Sequence, residues 1–486
     1  MSKIETAAAH DRPPPRRIPT GNDREPAGGK LERVFHRSMY LGIQRVRGRP
    51  VGKWIRHLAA WDALDDARYA ALSRQRLEAL LEFASARVPL YRSDAWRRSI
   101  ASDPRDITRW PMLDRNDLVE RRNELVADGA RRPLLLARRS SASTGRPIEV
   151  LWNADAVAWS WAAEYHPMLW HGLEIGARTL RLWGSASVLE NFVLNRHFVP
   201  ADDLTPLRLD AAAAYIDTRR PQLVWGTPSA VHELARHIGR TDRAAGAFRV
   251  PYIKVGGEQL YGFQREEIVR HLGERLIESY GCTEMGPIAA ECPAGSLHVL
   301  TTNVHLEIFR DGAPAPPGEL GEIIATSIVN RGMPLVRCRI GDLGALSPDR
   351  CRCGRPQPVL ASLRGRAADL VMRTDGTPIH GSVLGDAMQR CAPGTPLGCA
   401  QKVLFEQIDR QRWRVRIEAH RRPDLAALER QVGDLLREIL GPDCLAETEI
   451  VARIPREPSG KFRYYKVLDG SSRRGDPEPG GRPALH

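Results

Sequence analysis

The chain has 486 residues, 42% of them hydrophobic, enough for sizeable cores in more than one domain. Its formal net charge is +13, yet only seven of the 72 basic residues are lysines and the arginines are spread along the whole length; a nucleic-acid footprint would cluster on one face, so the charge reads as solvated surface and nucleic acid is set aside as a partner. Eight cysteines in so long a chain exclude a disulfide scaffold, no apolar run approaches the ~20 residues of a membrane span, and Met1–Thr20 lacks a signal peptide's apolar core, so a cytoplasmic protein with no membrane span is expected.

In chain order, residues 1–29 are rich in Pro, Gly and charge and are expected to be a disordered tail. Leu31 to Tyr91 has a helical pattern, notably Leu72–Val88, which stops before Pro89, and Asp114 or Asn116 is placed to cap a following helix. Arg138–Pro147 (RRSSASTGRP) is a hydroxyl-rich loop leading into a strand at Val150–Trp152. Its Ser140, Ser141, Ser143, Thr144 and Gly145 could cradle phosphate oxygens through hydroxyls and backbone N–H groups. It lacks the Walker pattern, and the same composition also makes ordinary surface loops. Trp159–Leu182 reads as helix then strand, and Trp225–Pro228 as another strand end. His232 and His237 fall ~140° apart on a helix, which rules out the zinc-protease arrangement.

The stretch from Lys254 to Val299 organises the chain. A Gly256-Gly257 turn followed by Glu258 precedes a helix with Phe263, Ile268, Val269, Leu272 and Leu276 at helical spacing. An extended segment, Leu276–Tyr280, then stops at Gly281-Cys282-Thr283-Glu284. Strand, helix, strand, then polar residues is where open α/β sheets place ligand chemistry. Thr283 and Glu284 offer a hydroxyl and a carboxylate for a phosphate oxygen and Mg²⁺; the plainer alternative is that they cap the next helix. Cys292, His298, Cys351 and Cys353 make a full tetrahedral set for a structural zinc, while the other cysteines read as ordinary thiols. Gly318–Thr326 is a turn into a strand. Pro334–Ile340 is another, placing Asp342 just past its end, suited to vicinal ribose hydroxyls or simply to a turn. After Arg366 the character changes. An Asp375-Gly376 hairpin turn, strands at Val403–Phe405 and Trp413–Ile417 and a helix at Leu425–Leu440 suggest a small α+β domain. That domain ends with Lys461 on a Pro-Ser-Gly loop, and residues 470–486 are again disorder-like.

The ordered set SSASTGRP, YGCTE (280–284), GD (341–342), RGR (364–366) and PSGK (458–461) resembles the adenylate-forming superfamily of acyl-CoA synthetases. GGE (256–258), the stretch from Glu291-Cys292 to Val299, and CRCGR (351–355) make it most similar to the phenylacetate–CoA ligase family and its capsule-biosynthesis-type relatives. The resemblance implies an α/β fold. A large N-terminal adenylate-forming domain (30–366) with mixed sheets, flanking helices and the zinc subsite would carry a small mobile C-terminal lid (367–469). It implies two-step activation of a carboxylic acid by ATP, through an acyl-adenylate, to a thioester with coenzyme A. By the same resemblance, Thr283 would contact the α-phosphate and Glu284 the Mg²⁺. Asp342 and Arg366 would hold the ribose, and the loop Ser140–Gly145 would wrap the outer phosphates. Gly257, Glu258, Tyr280 and Gly281 would line the nucleotide site, and Lys461 would bridge carboxylate and nucleotide before the lid swings about 366–369.

The chain departs from the family pattern at Ala142, Arg146 and Ala368, and at 373–376, where a Gly-rich thiol-side stretch is usual. An acyl-carrier protein or an amine is therefore an alternative acceptor. A catalytically silent scaffold is a further alternative, and a zinc-containing nucleic-acid binder a third; the co-occurrence of Thr283, Glu284, Asp342, Arg366 and Lys461 disfavours these last two. Trp159, Trp183, Trp225 and Tyr261 are candidate acyl-pocket walls, which leans the substrate towards an aromatic acid. A homodimer is compatible with the resemblance.

Overall fold

The computed structural model describes residues 29–140, 147–184, 187–241, 248–273, 275–367, 369–390, 394–457 and 460–468. The expected disordered ends therefore lie outside it, apart from Gly29, which opens a helix running to Val46. Two more helices follow, Val51–Trp61 and Asp66–Arg87, the latter capped by Asp65 and stopped by Pro89. Asp114 caps the next short helix in a reciprocal box with Asp117. No helix among the described residues is long and apolar enough to cross a membrane.

A hairpin of β1 (Leu136–Arg139) and β2 (Glu149–Trp152) flanks the hydroxyl-rich loop. The helix Ala154–Trp170 then leads into a seven-stranded sheet. Its strands are β3 (Thr179–Trp183), β4 (Arg196–Pro200), β5 (Leu223–Gly226), β6 (Tyr252–Gly256), β7 (Arg275–Cys282), β8 (Gly286–Glu291) and β9 (Leu297–Val299). The order is β4-β3-β5-β6-β7-β8-β9, parallel from β4 to β7 and antiparallel beyond. The central parallel strands β3, β5 and β6 are almost wholly buried, with a helical layer on each face. One face packs on the helices Pro206–Arg219, Pro228–Arg240 and Gly262–His271 through Leu182, Val224, Ile253 and Val255. The other packs through Trp225 on the helix Ala154–Trp170 and the N-terminal helices. The helix expected to extend to Leu276 stops at His271, and Leu276 belongs to β7.

A five-stranded antiparallel sheet follows, in the order β11 (Ala313–Pro314), β10 (Val304–Arg310), β12 (Gly321–Ser327), β13 (Cys338–Leu346), β14 (Leu360–Arg366). β13 corrects one expectation. The strand was to end at Ile340 and present Asp342 beyond it, but pairing to β12 and β14 on both sides carries the strand through Asp342 to Leu346.

After Arg366 come the hairpin β15 (Leu370–Met372) and β16 (Pro378–His380), turning at Asp375-Gly376, and a mixed four-stranded sheet. The sheet's order is β19 (Leu445–Val451), β18 (Arg412–Ala419), β17 (Ala400–Gln407), β20 (Tyr465–Val467), backed by the helix Leu425–Leu440. Its core includes Phe405, Trp413, Leu428 and Leu436, and also Tyr261 and Phe263 from the preceding half of the chain. The C-terminal unit is thus docked through shared apolar surface.

Candidate active site

The carboxyl ends of the parallel strands open into one cavity of about 240 Å³. β6 delivers Gly256-Gly257. A Cβ on Gly256 would lie 2.7 Å from the Ser279 carbonyl oxygen, and Gly257 has φ +84° with the Trp183 ring 3.2 Å from where its Cβ would be. Only glycine fits this turn, which lets the backbone form the cavity floor. β7 delivers Tyr280, Gly281 and Cys282, and Thr283-Glu284 form the tight turn into β8. No helix follows, so these two side chains do not cap one; they line the cavity. Glu284 is buried and has no ion-pair partner among the described residues. A buried carboxylate without a cation is costly, and this one fits a divalent ion. Burial pushes the Cys282 thiol well above its ordinary pKa, helped by the Glu284 carboxylate, which keeps it an inert wall residue.

Asp342 and Arg366 are register partners across β13 and β14. Arg366 Nε stands 3.4 Å from Asp342 Oδ1 while its Nη1 donates to the Ile340 carbonyl at 2.8 Å. The Tyr280 hydroxyl donates to Asp342 Oδ2 at 2.6 Å. Burial raises the Asp342 pKa against the opposing pull of Arg366 and Tyr280. The arrangement fixes one carboxylate edge in the cavity, facing a guanidinium that lies partly open to solvent.

Lys461 enters from the C-terminal unit and lines the same cavity. Its Cε lies 4.0 Å from where a Gly257 Cβ would sit, beside the Trp183 ring. The segment carrying it is held in place by interactions that sequence reading did not find. Glu258 accepts from the Ser229 N–H and hydroxyl, both at 3.0 Å, and from the Phe462 N–H at 2.8 Å. Arg456 donates to Ser229 Oγ at 2.5 Å and to Glu233 at 2.6 Å, and Lys402 reaches the other Glu233 oxygen at 3.1 Å. Gln264 donates to the Tyr464 hydroxyl at 2.9 Å, and Tyr261, Phe263, Phe462 and Tyr464 stack edge to face around it. The only signal in the sequence was Lys402, one of few lysines. Glu258 is thus a tie for the Lys461 segment as well as a cavity wall.

Ser140 also lines the cavity, and its Oγ accepts from the Ile148 N–H at 2.9 Å, closing the root of the loop. Ser141, Ser143, Thr144 and Gly145 lie outside the described residues, as do Ala142, Arg146 and Ala368. Of the candidate acyl walls, Tyr261 lines the cavity, and Trp183 packs next to its wall at Gly257. Trp225 is in the core beneath the sheet and Trp159 faces a different cavity. His232 and His237 pair separately, with Glu267 at 2.8 Å and Asp210 at 2.7 Å.

Away from the cavity, Cys292 follows β8, His298 lies in β9, and Cys351 and Cys353 sit on the loop joining β13 to β14. Their ligand atoms all fall within 4.8 Å of one another. Cys292 Sγ and Cys351 Sγ are 3.7 Å apart and Cys353 Sγ is 3.2 Å from His298 Nε2. His298 Nδ1 lies 2.9 Å from the Gln357 carbonyl oxygen; a donated N–H there leaves Nε2 free to ligate. A zinc–sulfur bond of about 2.3 Å puts sulfurs about 3.8 Å apart in a tetrahedron, so the donor set fits zinc.

The AMP-binding enzyme family matches residues 189–329. The chain is 27% identical to a phenylacetate-coenzyme A ligase of Thermus thermophilus over 338 residues, 64% of this chain and 73% of that one. It is 27% identical to the Escherichia coli phenylacetate-coenzyme A ligase over 335 residues, 62% and 72% of the two chains. In fold it is similar to a 2-hydroxyisobutyryl-CoA ligase crystallised in the postadenylation state with R3-HIB-AMP. That likeness has a TM-score of 0.68 at 18% identity and covers 84% of this chain and 91% of that one. The strand-end turn of Thr283 and Glu284, the Asp342–Arg366 pair and these likenesses point the same way: the chain carries a match to the AMP-binding enzyme family and is similar to phenylacetate-coenzyme A ligases of the adenylate-forming superfamily.

Proposed function

We propose that this cavity activates a carboxylic acid with ATP and passes the acyl group to the thiol of coenzyme A. The observation that carries the reading is that Thr283, Glu284, Asp342, Arg366 and Lys461, from three separate parts of the chain, line one cavity. In the first step a carboxylate oxygen attacks the α-phosphorus and the bond to the β-phosphate breaks, releasing pyrophosphate. In the second the thiol, losing its proton, attacks the acyl carbon and AMP leaves. Asp342 accepts from the ribose hydroxyls, held in orientation by Tyr280 and Arg366. The Thr283 hydroxyl donates to the α-phosphate, and Lys461 places its ammonium between the acid's carboxylate and that phosphate. Fixed donors of this kind lower the barrier by matching charge as it moves and by holding the reactants in line. Glu284 is the residue to hold Mg²⁺, which would supply charge neutralisation on the phosphates. The loop containing Ser140, Ser141, Ser143, Thr144 and Gly145 would close over the outer phosphates.

Residues 30–366 act as the large domain and 367–469 as a lid hinged near 366–369, where the Asp369 N–H bonds the Arg366 carbonyl at 2.9 Å. Release of the Arg456–Glu233 and Glu258–Phe462 ties would withdraw Lys461 and admit the thiol. Zinc at Cys292, His298, Cys351 and Cys353 would pin the β8–β9 hairpin of one sheet to the β13–β14 loop of the other. The Trp183 ring beside Gly257 and Lys461 favours a planar, aromatic acid. The test is incubation with ATP, Mg²⁺, coenzyme A and a panel of aryl and aliphatic acids. An aryl-CoA with equimolar AMP is the expected product; ADP formation would overturn the reading. A thioester formed on an acyl-carrier protein and not on coenzyme A would change the acceptor alone.

A further inference from the structure

A cavity of about 390 Å³, sharing no residue with the nucleotide site, lies where the N-terminal helices pack on the helix Ala154–Trp170. Trp54, Arg76, Asn153, Asp155, Trp159 and Arg331 form its walls. The volume is that of a small-molecule pocket, about 300–1,000 Å³. Its chemistry is unbalanced. Arg337, Arg265 and Arg456 elsewhere in the chain each meet carboxylates, but Arg76 and Arg331 have neither an ion pair nor a hydrogen bond among the described residues. Each guanidinium rests only on aromatic faces: Arg76 is 3.9 Å over the Trp159 ring and 5.3 Å over Trp61, and Arg331 is 5.0 Å over Phe83. The single acid in the wall, Asp155, already accepts from Trp54 Nε1 at 3.0 Å. Trp159 Nε1 and Asn153 Oδ1 are buried with no partner among the described residues. Burial, together with the neighbouring Arg331, depresses the Arg76 pKa to about 10.

We propose that this cavity is a second ligand site, which takes a small organic anion: an oxyanion head between Arg76 and Arg331 and an apolar, preferably aromatic, body against Trp54 and Trp159. A partly buried Arg76 and an exposed Arg331, neither in an ion pair with a carboxylate, leave the wall with a net positive charge that an anion would balance, and the indole walls supply contact area for a ring. The site abuts the root of the β1–β2 hairpin. Asn153 directly follows β2, and Asn330, next to Arg331, donates to the Leu151 carbonyl at 3.0 Å.

The test is titration calorimetry of the full chain with benzenesulfonate, an anion that cannot be acyl-activated. Arg331→Gln, at an exposed position, should weaken binding about tenfold, and Arg76→Gln at least as much. Asp155→Asn, which keeps the acceptor for Trp54 and removes the opposing charge, should tighten it severalfold. Lys461→Ala should leave it unchanged, and benzyl alcohol, of like size and no charge, should bind at least tenfold more weakly. Equal binding of benzyl alcohol, loss of binding in Lys461→Ala, or unchanged affinity in both Arg331→Gln and Asp155→Asn would overturn the proposal.

Discussion

Removing the Arg456 guanidinium should undock Lys461 without touching the cavity. The side chains of Arg456 and Glu233 are only 3% and 6% exposed, and their ion pair is 2.6 Å long. In Arg456→Ala the Glu233 carboxylate keeps Lys402 at 3.1 Å but loses its shorter contact, and Ser229 loses its donor. Breaking a buried pair from one side costs about 3–5 kcal/mol because a charge is left uncompensated. With Lys402 still present the lower end applies, and about 3 kcal/mol is a little over two decades in a docking equilibrium. Acid-dependent ATP–pyrophosphate exchange needs Lys461 docked, so it should fall about a hundredfold. Thioester formation from a supplied acyl-adenylate should be spared. Glu233→Gln added to Arg456→Ala removes the stranded charge and should recover part of the loss, a non-additivity readable in a double-mutant cycle. Exchange within twofold of wild type in Arg456→Ala, or strictly additive losses in the double variant, would refute the reasoning.

Three further outcomes follow from the geometry. Tyr280→Phe leaves Asp342 without its 2.6 Å donor, and a hydrogen bond to a charged group contributes about 1.5–3 kcal/mol; the KM for ATP should rise about tenfold, and an unchanged KM would deny Asp342 a role in holding nucleotide. Purified protein should carry one zinc per chain by elemental analysis, with Cys353→Ser retaining well under half and melting several degrees lower; metal-free protein of undiminished stability would reject the site. His305 on β10 has its pKa depressed to about 4 by burial and then by Arg337. Its ordinary value is about 6.5, so between those pH values the unfolded chain binds more protons and stability falls as pH drops. The loss should be of order 2 kcal/mol by pH 5 in urea unfolding, and His305→Asn should lack it; an equal pH dependence in both proteins would contradict the burial argument.

Much of the site could be read from sequence because its chemistry sits in short contiguous motifs at strand ends. Thr283-Glu284 and Gly256-Gly257 carry their own turn signals, and the parallel strands feeding them contain short apolar stretches such as Leu276-Ile277. The small α+β unit was legible for a related reason: Val403–Phe405, Trp413–Ile417 and Leu425–Leu440 each keep one period along their length. What was not legible depends on partners far apart in sequence. Asp342 lies inside β13 because β12 and β14 bond it from both sides, a pairing that no local pattern announces. Thr283-Glu284 turn back into a hairpin and open no helix because β8 finds β7 and β9 as neighbours. Glu233, Lys402 and Arg456 resemble solvated surface charges until folding buries them together. The same holds for Arg76 and Arg331, whose isolation from carboxylates is a property of three-dimensional placement alone.

Lys461, arriving from the C-terminal unit, would complete an adenylation site built on the ends of β6 and β7 and on Asp342 within β13. The most direct measurement is carboxylate-dependent ATP–pyrophosphate exchange across a panel of aryl and aliphatic acids, for the wild-type chain and Lys461→Ala side by side. The account predicts exchange with aryl acids that falls at least a hundredfold in Lys461→Ala while AMP binding stays within a few fold, because the ammonium acts on the transferring phosphate and not on the nucleoside. Exchange that survives in Lys461→Ala, or wild-type protein that supports none with any acid, would contradict it.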